Sequence, residues 1–180
     1  MGSGRYILEG EDQLVAEWVC DRTGGRLDLT QSPYSAIGCR DRLGNLVGGV
    51  VYNNFTRNDC HMHVGGIGQW LTRRMIGECF RYPFIQLGCS RVTGTVSSDN
   101  EHALDFDFRL GFQHEGTLRH YFADGRDLIL LGMLREECRW LTVGVRRGKS
   151  SERPAVTPAT IGLAHSGRNS TAVYAGLRRR

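Results

Sequence analysis

Apolar and polar positions along this chain follow two periods, and the switches between them lay out its elements. Residues 5–9 form a short strand. From 11 to 22, Leu14, Val15, Trp18 and Val19 recur every three or four residues, the spacing of one helix face, and Gly24-Gly25 ends the run. Residues 34–40 and 46–53 read as strands joined by the turn Asp41-Arg42-Leu43-Gly44-Asn45, hence a hairpin. Residues 59–64 alternate Cys60, Met62 and Val64 against Asp59, His61 and His63, the period of a strand. Gly65-Gly66-Ile67-Gly68 breaks that pattern. Leu71, Met75, Ile76, Cys79, Phe80, Phe84 and Leu87 return to helical spacing, with Pro83 placed to kink the helix or end its regular part.

Residues 89–96 are rich in β-branched side chains and read as a strand. Ser98 or Asp99 is expected to cap a helix with Glu101 in its first turn, ending at Leu110-Gly111. Residues 112–122 and 127–135 are strands around Ala123-Asp124-Gly125-Arg126, a hairpin signal. The order is β-α-β-β-β-α-β-α-β-β. Hairpin-linked strands run antiparallel, and the middle β-α-β unit is parallel with a right-handed crossover. The pattern predicts a mixed sheet with helices packed on it, an α/β or α+β layer fold. No apolar period persists beyond residue 145. The reading is therefore one domain over residues 1–142 and a basic, disordered tail over 143–180.

Composition narrows the function classes. The 180 residues are 40% hydrophobic and include 4 Pro, which excludes a collagen-like or wholly disordered chain. No uncharged apolar run reaches membrane-spanning length, and Met-Gly-Ser-Gly-Arg-Tyr is no hydrophobic signal region. A soluble, cytoplasmic protein without a membrane partner is expected. The net charge of +4 hides a split: residues 1–142 carry 15 Arg against 18 Asp and Glu, whereas residues 143–180 carry 7 Arg and Lys149 against Glu152 alone. The tail suits nucleic acid or an acidic protein partner by electrostatics. The six cysteines are scattered without a C-x-x-C pair, and read as reduced, mostly buried thiols. Cys60-His61-Met62-His63 crowds metal-ligating types, but strand alternation accounts for them, and no metal is expected.

Asn100-Glu101-His102-Ala103, Arg109-Leu110-Gly111-Phe112 and the run from Glu115-Gly116 through Arg119 and Tyr121 to Gly125 resemble motifs of the GNAT superfamily, the Gcn5-related N-acetyltransferases. The resemblance covers roughly residues 5–141. Tyr82-Pro83-Phe84, Leu87-Gly88-Cys89 and Cys138-Arg139-Trp140-Leu141 also resemble small acetyltransferase-like proteins of tailed phages, for which the host cytoplasm would be the location. The GNAT resemblance implies a mostly antiparallel mixed sheet whose central strands splay apart, so that the pantetheine arm of acetyl-CoA adds to the open edge. It implies that the pyrophosphate sits on the glycine loop and the helix that follows. The implied cofactor-binding residues are Val64, Gly65, Gly66, Ile67, Gly68, Gln69, Trp70 and Asn100. Bulk at Gly66 or Gly68 should then weaken CoA binding and spare the fold. His63 stands where the family has Arg or Gln, Trp70 where it has a small residue, and Asp107 where many members carry a Tyr that protonates the leaving thiolate.

Acetyl transfer to an amine needs an unprotonated amine, a donor for the developing oxyanion and a protonated leaving sulfur. An unperturbed histidine titrates near neutrality, which suits a base. His63 ends the strand beside the glycine loop and is the candidate catalytic residue; His61 shares its face. Asp107 is expected to be a solvated helix residue. The expected function is acetyl-CoA-dependent N-acetyltransfer to a primary amine on a small molecule or protein. The alternative is a non-catalytic binding module of the same fold, whose basic tail contacts nucleic acid or a protein.

Overall fold

The structure, a computed structural model, describes residues 4–23, 29–30 and 32–142. The tail expected over 143–180 and the glycine pair expected to stop the first helix lie outside the described residues. Seven strands, β1 (Tyr6–Leu8), β2 (Ser35–Arg40), β3 (Leu46–Asn53), β4 (His61–Gly66), β5 (Arg91–Ser97), β6 (Gln113–Leu118) and β7 (Leu128–Leu134), form one sheet in the order β1-β2-β3-β4-β5-β7-β6. Three helices, α1 (Asp12–Arg22), α2 (Arg73–Arg81) and α3 (Glu101–Leu110), complete the order read from the sequence. Every pairing is antiparallel except β4 with β5. No described helix is long and apolar enough to cross a membrane.

Three of the boundaries that differ from the sequence reading bear on the site. β4 runs two residues further, because Gly65 and Gly66 stay in register with Gly49 and Gly48 of β3 instead of leaving the strand. β6 stops at Leu118, where the chain turns with His120 at φ 52°. The cap of α3 is Asn100, whose side-chain oxygen accepts the Ala103 N–H at 3.2 Å, and Gly111 ends that helix at φ 115°. The spacing N-x-x-A is thus a capping geometry.

The facing glycines of β3 and β4 let the sheet be packed closely on both sides. A Cβ at Gly49 would lie 2.6 Å from Val15 Cγ1, so on this face α1 sits directly on the backbone. A Cβ at Gly48 would lie 2.0 Å, and one at Gly66 1.7 Å, from the indole of Trp70, which covers the other face and is 6% exposed. Any side chain at Gly66 must therefore displace Trp70. The expectation that bulk there would spare the fold is corrected.

Helix α2 begins at Thr72, whose Oγ1 accepts the Met75 N–H at 3.2 Å, and buries Met75, Ile76, Cys79 and Phe80. Pro83 widens the helix into a π turn, Tyr82–Gln86. In a continuous helix the Cys79 carbonyl would accept from residue 83, but proline has no N–H. The hydroxyl of the fully buried Tyr52 supplies the missing donor, at 2.8 Å from Cys79 O. Tyr52→Phe removes that donor and strands a buried carbonyl. It is expected to cost about 1–3 kcal/mol of stability by urea denaturation, with the far-ultraviolet spectrum unchanged.

Candidate active-site cleft

β4 and β5 touch at a single register pair, His61 and Thr93, with the Thr93 N–H donating to Cys60 O at 3.0 Å. Beyond it β4 follows β3 while β5 follows β7. Alternate residues of β4 turn to β3, so the next groups facing the gap are the Met62 carbonyl and the Val64 N–H, and β5 offers them no partner. The junction is clasped by side chains. Asp59 Oδ2 accepts from Thr93 Oγ1 at 2.7 Å and lies 3.6 Å from Arg91 Nε; Arg91 in turn reaches Glu115 at 2.6 Å. Gly132 leaves room for that glutamate, since a Cβ there would lie 2.1 Å from it.

The gap widens into a cleft of about 720 Å³, walled by β4, β5, the loop before α2 and one stripe of α3. Of the residues singled out in the sequence, His63, Val64, Gly66, Gly68, Gln69, Trp70 and Asn100 line it. Gly65 instead faces α1, its Cβ position 3.3 Å from Val19 Cγ1, and Ile67 is exposed with its N–H bonded to Val47 O at 2.9 Å. Gly68 takes φ 60° in open space, a turn that L side chains resist. The amides of Gly68, Gln69, Arg73 and Arg74 have no acceptor among the described residues, at the loop and helix N-terminus where an anion is favoured. Among the described residues no group of three or more His, Cys, Asp or Glu side chains is placed to hold a metal ion.

The surroundings shift two side chains of the cleft away from their ordinary proton affinities. His63 Nε2 lies 2.9 Å from Asn53 Oδ1, so that nitrogen carries the hydrogen and Nδ1 the lone pair. Burial, with a smaller contribution from His61, pushes its pKa down to about 4, so at neutral pH it is an uncharged, weak base. Asp107 is half-buried. It lines the cleft on the same helix stripe as Asn100 and Ala103, and burial pushes its pKa up to about 7. The spacing 100, 103, 107 carried that signal, because residues three and seven apart share a helix face.

These two groups pull stability in opposite directions with pH. For His63 the unfolded chain binds the proton more tightly, so its contribution is full above the ordinary histidine value and is lost as pH falls toward 4. For Asp107 the folded chain binds the proton more tightly, so its contribution is full below the ordinary aspartate value and is lost as pH rises toward 7. Asp107→Asn should therefore make the protein relatively more stable as pH rises from about 4.5 to 6.5, and His63→Gln relatively less. Each change is about 1–3 kcal/mol, because a tenfold difference in proton affinity is worth roughly 1.4 kcal/mol. Urea denaturation at the two pH values checks both slopes.

The chain matches no protein-family model, and no curated protein matches it. Solved structures resemble it in shape. A variant of the spermidine N-acetyltransferase SpeG from Vibrio cholerae aligns over 77% of this chain and 96% of its own, with TM-score 0.59 and 15% identity. Glutamate-to-glutamine variants of the same organism's spermidine/spermine N-acetyltransferase align over 57% of this chain, with TM-score 0.51 and 20% identity. In that alignment the chain spans 65% of the neighbour, less than two thirds of its length. A protein described as a probable acetyltransferase aligns over 65% of this chain and 69% of its own, with TM-score 0.50 and 21% identity. At these identities the likeness is one of fold. The mixed, mostly antiparallel sheet with its helices is the architecture of these N-acetyltransferases and the one expected from the GNAT resemblance.

Proposed function

We propose that this protein is an N-acyltransferase that moves an acetyl group from acetyl-CoA to a primary amine. The observation that carries this reading is the parting of β4 and β5 after one pair, which leaves the Met62 carbonyl and Val64 N–H unpaired along a cleft. An extended amide-bearing arm such as pantetheine adds to such an edge as a further strand. The free amides from Gly68 to Arg74 and the positive end of α2 then suit a pyrophosphate. His63, neutral and held by Asn53, serves the cleft as a fixed polar wall and not as a strong base. The acceptor is an amine. The fold neighbours are spermidine N-acetyltransferases, and residues 1–142 carry more acids than bases, so a polyamine is the first acceptor to try.

Calorimetry with acetyl-CoA and with CoA tests the reading before any acceptor is known. Both should bind, and acetyl-CoA at a hundred times its dissociation constant should stabilise the fold by about 2.7 kcal/mol. Gly68→Val forces a β-branched residue toward positive φ in open space, and is expected to lower acetyl-CoA affinity tenfold or more, about 1.4 kcal/mol. Absence of heat and of a melting shift at millimolar ligand would mean a non-catalytic module. Normal binding by Gly68→Val would place the phosphates elsewhere.

A further inference from the structure

We propose that Cys60 and Cys89 are a redox-responsive pair, and that a low-molecular-weight disulfide oxidises them to a protein disulfide that staples β4 to β5 at their single backbone pair. This lies beyond the acyltransferase reading and does not depend on it. Both thiols are free, and the Cys60 thiol donates a hydrogen bond to the Cys89 sulfur. Cys60 immediately precedes β4, and its carbonyl accepts the Thr93 N–H at 3.0 Å, the bond of the junction itself. Cys89 lies two residues before β5, and its N–H donates to Pro83 O at 2.9 Å. One carbonyl ties the two loops together: Asn58 O accepts from the Ser90 N–H at 2.9 Å, the Arg91 N–H at 3.1 Å and Ser90 Oγ at 3.3 Å. Neither cysteine is inside a strand, so the approach that a disulfide needs falls on loop backbone and not on sheet register.

The surroundings distinguish the two sulfurs. Cys60 is 0% and Cys89 3% exposed, but Cys89 sits between exposed Gly88 and Ser90, in a segment outside regular structure. A small local opening there reaches Cys89 first. The hydrogen bond from Cys60 lowers the Cys89 pKa, against burial and the Asp59 charge, which raise it. The same bond, with burial, pushes the Cys60 thiol up. Cys89 is therefore the thiol that ionises first, and the thiolate is the form that attacks.

The step balances. The Cys89 thiolate attacks one sulfur of the small disulfide, forms a mixed disulfide and releases a thiolate. Cys60 gives its proton to that thiolate and attacks the Cys89 sulfur. The second small thiolate leaves and takes up from water the proton that Cys89 shed on ionising. Two protein thiols lose two electrons, and the small disulfide becomes two thiols. The new bond joins the bases of the two strands where the clasp of Asp59, Thr93, Arg91 and Glu115 already holds them.

Oxidised glutathione is the probe, applied to the folded full chain before alkylation and trypsin digestion. Cleavage after arginine places Cys60 alone in residues 58–73 and Cys89 alone in residues 82–91. Mass spectrometry should find these two peptides joined, two hydrogens lighter than their sum and separated by dithiothreitol. In concentrated urea the same treatment should scatter the pairing over the six cysteines. Alkylation of both peptides after oxidation of the folded chain, or their linkage to other cysteines, overturns the pair. With Cys60→Ala, the Cys89 peptide should keep one glutathione, because the resolving thiol is gone. With Cys89→Ala, the Cys60 peptide should stay unmodified. Glutathione on Cys60 in that variant overturns the assigned order. Hydrogen exchange at the Thr93 amide should slow at least tenfold in the oxidised wild-type protein, because the strands can no longer part there. Equal exchange in the two redox forms overturns the staple.

Discussion

The single backbone pair between His61 and Thr93 is the constraint on which this molecule is organised. A parallel sheet gains from every added pair, yet here the pairing stops after one. β4 is committed to β3 over six residues and β5 to β7 over seven, so each strand follows its antiparallel partner and the two diverge. The clasp of Asp59, Thr93, Arg91 and Glu115 holds the point of divergence. What lies beyond it is an unpaired strand edge in the centre of a sheet, where a buried peptide group needs a partner. A ligand that carries peptide-like groups meets that need.

Packing on the two faces of β3 and β4 keeps the diverging strand rigid. Gly49 and Gly65 admit α1 on one side, and Gly48 and Gly66 admit the Trp70 indole on the other. Trp70 thereby links the loop before α2 to the sheet, and Thr72 caps the helix two residues later. The Tyr52 hydroxyl meets the carbonyl that Pro83 leaves unpaired, so α2 turns into its π segment without a buried orphan. The cleft is therefore set by backbone contacts that glycine and proline impose, more than by any one polar side chain.

The element order and the parallel middle unit were legible in the sequence, because hydrophobic period and turn residues carry both. The extent of β4 was not. Glycine reads locally as a strand breaker, and only the register with Gly48 and Gly49 shows that Gly65 and Gly66 are strand residues opposed by bulky groups. For the candidate site, the sequence carries which residues share a strand or helix face but not their surroundings. His63, Val64 and Asn100 do meet at one cleft, but a sequence carries no burial, and burial moves His63 down and Asp107 up. Asp107 shares a helix face with Ala103, a pattern visible beforehand. That its carboxyl has no partner among the described residues is a tertiary fact.

The account stands on β4 presenting an open edge to an acyl-CoA donor. Hydrogen exchange at the Val64 amide, read by NMR with and without acetyl-CoA, tests this directly. The account predicts exchange at Val64 without ligand and strong protection with it, with amides already bonded to β3 unchanged. Acetyl-CoA that binds while Val64 exchanges as before would contradict it.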